Sequence, residues 1–160
     1  GLMSTSFQGE TPEGASKREP LIVAARSGRF ADVISQELDP AWLAPGPSRL
    51  TVAQYVTDMA HSIGPEAYVT QARAMQRRTD QQRTLRKITQ PALVVGGEED
   101  GLYPVKRHAF LAEFIPSAQL EIIAGAGHLP MLEQPDAVTS VMRDWLERPL
   151  VPKQEPLVLR

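Results

Sequence analysis

Apolar residues recur along this chain with two different periods. From Thr51 onward, Val52, Tyr55, Val56, Met59 and Ile63 fall at i, i+3, i+4, i+7 and i+11, which places all five on one face of a helix. Thr51 and Gln54 have the spacing of a capping box at its start. Gly64 followed by Pro65 predicts a stop and an immediate new start, after which Tyr68, Ala72 and Met75 form a second stripe running to about Arg78. Two helices thus meet at a corner. Upstream, Pro20, Leu21, Ala24 and Ala25 before Gly28 predict a shorter helix, and Phe30 to Leu38 another. Pro45, Gly46 and Pro47 make Ala44 to Ser48 a loop.

Beyond Ile88 the period changes. Ala92 to Val95 is a continuous apolar run between Pro91 and Gly96-Gly97, the pattern of a strand buried on both faces. Val105 to Phe114 reads as a helix, Gln119 to Ile123 as a strand, and a helix beginning near Pro135 carries Val138, Val141, Met142 and Trp145 to a stop at Pro149. The order strand, helix, strand, helix predicts a right-handed βαβ crossover with parallel strands. Two strands make a poor sheet, so further strands are required.

Composition narrows the function classes. The chain has 160 residues with a formal charge of −2, 42% hydrophobic and 22% charged residues, which is ordinary for a globular protein. No global field favours nucleic acid or an anionic membrane, and small neutral partners stay open. Zero cysteines exclude a disulfide scaffold, a thiol nucleophile and thiolate zinc sites. His61, His108 and His128 are too scattered for a metal cluster, so neither metal nor cofactor is expected. No apolar run approaches the roughly 20 residues of a membrane span, and the opening GLMSTSFQGE lacks the regions of a signal peptide, which predicts a cytoplasmic chain.

In open α/β sheets, functional residues sit in loops beyond the carboxyl ends of the strands. Here these are Gly96 to Pro104 and Ala124 to Pro130. Neighbouring parallel strands bring the two loops together, which pairs Asp100 with His128. A carboxylate on one ring nitrogen fixes the tautomer and leaves the other nitrogen to act as a general base.

The stretch from Asp80 to Leu146, with DQQRTLRKITQPALVVGGEEDGLYP, IPSAQLEIIAGAGHLPMLEQPDAV and VMRDWL, resembles the C-terminal end of an α/β-hydrolase-fold enzyme. The resemblance implies that Asp100 is the triad acid and His128 the triad base. It also matches Pro104 to the proline after the acid, and Glu133 with Pro135 to the EQP that opens the last helix. VTQARAMQRRTD, from Val69 to Asp80, resembles the segment by which lid helices rejoin the sheet in bacterial esterase-like and lactonase-like members. The family's nucleophile turn, Gly-x-Ser-x-Gly, does not occur in these 160 residues, nor does an oxyanion-hole glycine motif.

The resemblance therefore implies the α/β fold class and the C-terminal portion of the family's fold. Residues 1–10 are expected to be a remnant of a preceding strand, 11–87 a helical lid, 88–150 a βαβα unit carrying acid and base, and 151–160 a Pro-rich tail. The implied activity is cofactor-free hydrolysis of an ester, lactone or related small molecule. The rival is a non-catalytic fragment or interaction module. Tyr55, Met59, Tyr68, Met75 and, in its Pro-flanked loop, Trp42 are candidates to line the substrate pocket, with lid core as the competing role. Glu98 and Glu99 read as solvated, with Glu98 able to bond backbone. His108 is expected on the surface of the crossover helix and His61 on the polar side of its helix. The run Arg73, Arg77, Arg78, Arg83, Arg86 and Lys87 reads as a solvated face, with a phosphate or acidic carrier partner as the sharper alternative. An uncovered strand edge and apolar lid stripes predict a homodimer.

Overall fold

The computed structural model describes residues 1–148. The Pro-rich tail expected over 151–160 lies outside the described residues. Three parallel strands, β1 (Leu2–Met3), β2 (Ala92–Gly97) and β3 (Ala118–Ile123), form a sheet in the order β1-β2-β3. Leu2 pairs with Val94, and β2 runs in register with β3 from Ala92 opposite Ala118 to Gly97 opposite Ile123. The third strand that the βαβ pattern required comes from the opening residues, ninety positions away in sequence from its partner.

All six residues of β2 are buried, as a strand covered on both faces must be. Its side chains alternate: Ala92 and Val94 pack with Phe7, Leu85, Leu111 and Ile115 on the side of α6 (Val105–Glu113). Leu93 and Val95 pack with Ile123, Ala126 and Val138 on the side of α8 (Pro135–Glu147). Preceding α8 is a single turn, α7 (Pro130–Glu133).

Between β1 and β2 lies a helical excursion: α1 (Pro12–Arg26), α2 (Phe30–Glu37), a 3₁₀ turn at Pro40–Trp42, α3 (Arg49–Ile63), α4 (Pro65–Gln76) and the short α5 (Gln82–Leu85). It has its own core of Ile22, Ala25, Val33, Val69 and Ala72. α1 starts eight residues before the expected Pro20. The Thr11 hydroxyl accepts the Gly14 N–H at 3.0 Å and Pro12 occupies the first turn, so the true start signal lies there. Pro20 sits inside the helix on an exposed side, where the carbonyl it leaves unpaired can face water.

α3 likewise begins earlier than the Thr51–Gln54 capping box predicted, at Arg49, and Gln54 donates to Asp58 one turn on, at 2.8 Å. Its stop is as expected, because Gly64 takes φ +83°, a conformation that side chains resist, and Pro65 opens α4. Among the described residues, no helix is long and apolar enough to cross a membrane.

Candidate active site

The two loops at the carboxyl ends of β2 and β3 continue the strands' pairing past their ends. The N–H of Glu98 donates to the Ile123 carbonyl at 3.0 Å and that of Glu99 to Ala126 at 2.9 Å, so the loops cannot drift apart. Glu98 and Glu99 are exposed, and Glu98 Oε2 accepts the Gly125 N–H at 3.3 Å across the loops.

Asp100 turns inward from this scaffold with no exposed side-chain surface. Its Oδ1 accepts the N–H groups of Leu102 and Tyr103 at 2.8 and 2.7 Å, which fixes the carboxylate plane. His128 Nδ1 then lies 3.0 Å from Oδ2 and 3.2 Å from Oδ1. Burial alone would raise the carboxyl's pKa. The His128 hydrogen bond and the two backbone donors outweigh it and hold Asp100 below the ordinary carboxylate range. With Nδ1 committed to an anion, Nε2 is the free nitrogen of His128, the arrangement of a general base.

Two aromatic rings frame that imidazole edge-on, Tyr103 at 5.4 Å and Trp42 at 6.3 Å between centroids. Beside it lies a cleft of about 130 Å³ lined by Leu38, Pro40, Trp42, Leu43, Val56 and Leu129, with His128 in its wall. Of the five residues expected to line a pocket, the structure brings Trp42 to His128. Tyr55 and Met59 point outward, 55% and 43% exposed, and Ala53 and Val56 from the same helix line the cleft instead.

Tyr68 belongs to the helical core. Its ring lies 5.8 Å from Phe30, its hydroxyl donates to Glu37 at 3.3 Å, and burial beside that carboxylate pushes its phenol up to about 12. Met75 lines a separate cavity of about 270 Å³ with Arg18, Arg78, Tyr103 and Arg107.

The segment carrying Trp42 is locked onto the His128 loop by polar contacts that the sequence did not announce. The His128 N–H donates to the Trp42 carbonyl at 2.8 Å. The carboxylate of Glu133, matched in sequence only as part of EQP, accepts three backbone N–H groups: Ala44 at 2.7 Å, Gly127 at 2.9 Å and Leu129 at 2.9 Å. A Cβ at position 127 would collide with Leu43 and Ala44, so the glycine before His128 permits this close approach. His61 is exposed, as expected, with its ring edge 5.8 Å from Phe30. His108 overturns its expected surface position and is wholly buried, because it faces the sheet from α6 rather than solvent. Among the described residues, no group of three or more His, Cys, Asp or Glu side chains is placed to hold a metal.

Known proteins are similar to this chain over parts of their length. Homoserine O-acetyltransferase of Salinibacter ruber is 42% identical over 69 residues, covering 42% of this chain and 20% of that protein. Pimeloyl-(acyl-carrier protein) methyl ester esterase of Xanthomonas axonopodis pv. citri is 35% identical over 79 residues, 49% of this chain and 31% of the esterase. The solved structure of a thermophilic esterase from Thermogutta terrifontis superposes with a TM-score of 0.83 at 28% identity, covering 91% of this chain and 54% of that one. The chain thus matches about half or less of the length of each. The model of the alpha/beta hydrolase family matches residues 3–141, nearly all of the sheet, helical excursion and paired loops described above, and the chain belongs to that family.

Proposed function

We propose that these 160 residues supply the lid and the acid–base pair of a hydrolase acting on an ester, lactone or related small carbonyl compound. The observation that carries this is the buried Asp100 carboxylate on His128 Nδ1, with Nε2 left for the apolar cleft. In this reading a serine supplied from outside these residues loses its hydroxyl proton to Nε2 as its oxygen bonds the carbonyl carbon. The same nitrogen then returns that proton to the leaving oxygen, leaving an acyl-serine. A water that gives its proton to Nε2 bonds the acyl carbon, the serine oxygen leaves and takes that proton back, and Asp100 stabilises the imidazolium in both halves. Residues 11–87 act as the lid, with Trp42 and Val56 bounding the substrate and the closed helices excluding bulk water.

The esterases among the relatives support acyl chemistry. A base without a positioned nucleophile and oxyanion donors lacks the largest catalytic terms. The 160-residue chain should therefore hydrolyse p-nitrophenyl acetate no faster than a free imidazole. Joined to the residues encoded upstream of it in its own reading frame, it should turn over saturably and lose that turnover in His128→Ala. Saturable, His128-dependent turnover by the chain alone would show a nucleophile within it, and His128-independent turnover by the joined protein would remove the base role.

A second reading, self-association as an interaction module, is favoured by the exposed apolar face of α3, where Tyr55 and Ile63 are each 55% and Met59 43% exposed. A homodimer would cover it, and light scattering over a concentration range tests that. A constant mass of 17.6 kDa at every concentration would exclude it.

A further inference from the structure

Among the described residues, the buried polar or charged residues are Asp100 and His108, and the proposed reaction leaves His108 unused. It occupies the middle of α6, has no exposed side-chain surface, and neither ring nitrogen has a hydrogen-bond partner among the described residues. An imidazole buried with both nitrogens unpaired is costly, and an apolar residue of similar volume would fill the space without that cost. The backbone also accommodates this ring specifically: a Cβ at position 96 on β2 would lie 2.6 Å from His108 Cγ, so the strand is bare of side chain where the imidazole packs.

Polar groups facing this ring are the Asp100 carboxylate and the Pro104 backbone, both of which favour a proton on it. Nε2 of His108 lies 4.0 Å from Asp100 Oδ2. The two oxygens of that carboxylate are unequally served. Oδ1 accepts from Leu102, Tyr103 and His128, whereas among the described residues Oδ2 has His128 alone. An orphaned donor and an under-served buried acceptor thus face one another across a gap about 1 Å longer than a hydrogen bond. Active-site contacts of this kind are commonly loose without substrate and tighten when it binds.

We propose that His108 is a positioning residue for the triad acid, donating its Nε2–H to Asp100 Oδ2 so that the carboxylate is held between two imidazoles. Burial disfavours the charged form of this ring, and Asp100 and the Pro104 backbone oppose that effect only in part, so His108 donates as a neutral ring. The carboxylate is then pinned on one side by two backbone N–H groups and on the other by His128 and His108. It cannot rotate as His128 gains and loses a proton, and His128 keeps the tautomer that leaves Nε2 free. The inference rests on the reading of Asp100 and His128 as acid and base, and the experiment separates the two.

Long-range proton–nitrogen NMR on the ¹⁵N-labelled chain, at a pH where both rings are neutral, reads which nitrogen of each carries hydrogen. Wild type should show His128 as the Nδ1–H form and His108 as the Nε2–H form. In Asp100→Asn the amide oxygen stays on the Leu102 and Tyr103 N–H groups and the NH₂ turns toward both rings. Each ring must then present a bare nitrogen, so His128 should switch to Nε2–H and His108 to Nδ1–H. A switch at His128 with none at His108 overturns the His108 inference and leaves the acid–base pair standing. An unchanged His128 overturns both.

Where Asp100→Asn does not fold, His108→Phe and His108→Gln serve. The carbon-13 resonance of the Asp100 carboxyl should titrate about one pH unit higher in the phenylalanine variant. It should return most of the way in the glutamine variant, whose amide N–H can replace Nε2–H. Equal titration in Phe, Gln and wild type would reduce His108 to packing and overturn the inference.

Discussion

Two helices that meet at Gly64 carry apolar stripes of the same kind and end in different surroundings. α4 lies against α1 and places Val69 and Ala72 in a core with Ile22, Ala25 and Val33. α3 buries Val52 and leaves Leu50, Tyr55, Met59 and Ile63 facing outward. The difference lies in what the chain brings to each stripe. α1 arrives alongside α4, and Arg73 on α4 pairs with Glu19 on α1 beside their packed faces. Among the described residues, no element of equal length arrives over the outer face of α3. What holds the entry to α3 in place is polar: Glu133 gathers the backbone of Ala44, Gly127 and Leu129, and the Trp42 carbonyl takes the His128 N–H. An amphipathic period therefore reports that a helix has an apolar face, and the topology decides whether anything covers it.

The largest expected effect contrasts the two stripes directly. Val69→Asp puts a carboxylate into the helical core, 3% exposed in the native chain, and should cost about 3 kcal/mol or more. Met59→Asp on the outer face should stay within about 0.5 kcal/mol of wild type. Urea unfolding measures both, and equal losses would show that α3 is covered in solution.

Next in size is the polar latch. Glu133→Ala leaves three backbone N–H groups without their acceptor and should destabilise by about 2 to 3 kcal/mol. Hydrogen exchange should speed up at Ala44, Gly127 and Leu129 while the amides of α4 stay protected. Uniform acceleration across the helical region would mean that Glu133 supports the whole of it rather than the joint beside His128.

A pH effect should appear at the acid. The folded Asp100 carboxyl titrates below its unfolded value near 3.8, so its contribution to stability is fully present above about pH 4 and is lost as pH falls through the lower, folded value. The stability gap between wild type and Asp100→Asn should therefore narrow on acidification below about pH 4. A gap independent of pH would mean that the carboxylate's charge is not what the site stabilises.

The smallest change concerns association. If α3's face is the contact between copies, Met59→Lys together with Tyr55→Glu should raise the concentration at which light scattering detects larger species, with little change in unfolding. No change in scattering would place any contact elsewhere, such as the open edge of β1.

Local pattern was enough to read a strand starting at Ala92, expected to end at Val95 and found to run on through Gly97, helices matching Phe30–Glu37, Val105–Glu113 and Pro135–Glu147, and the corner at Gly64, because each depends on residues within a turn or two of one another. The proximity of Asp100 and His128 was also legible, since adjacent parallel strands oblige their carboxyl-end loops to meet. The start of α1 lies at Pro12 rather than at the expected Pro20, because the Thr11 hydroxyl caps the first turn there.

Other features had no local signature. The pairing of Leu2–Met3 with β2, the burial of His108 behind Asp100, the convergence of Ala44, Gly127 and Leu129 on Glu133, and the outward turn of Tyr55 and Met59 all join residues distant in sequence. Hydrophobic periodicity and turn chemistry act over a few residues and so determined the elements and the two loops. Which faces were covered, and which polar groups met inside, followed only from packing those elements together, because burial and hydrogen bonding at these positions belong to pairs of distant segments and to neither alone.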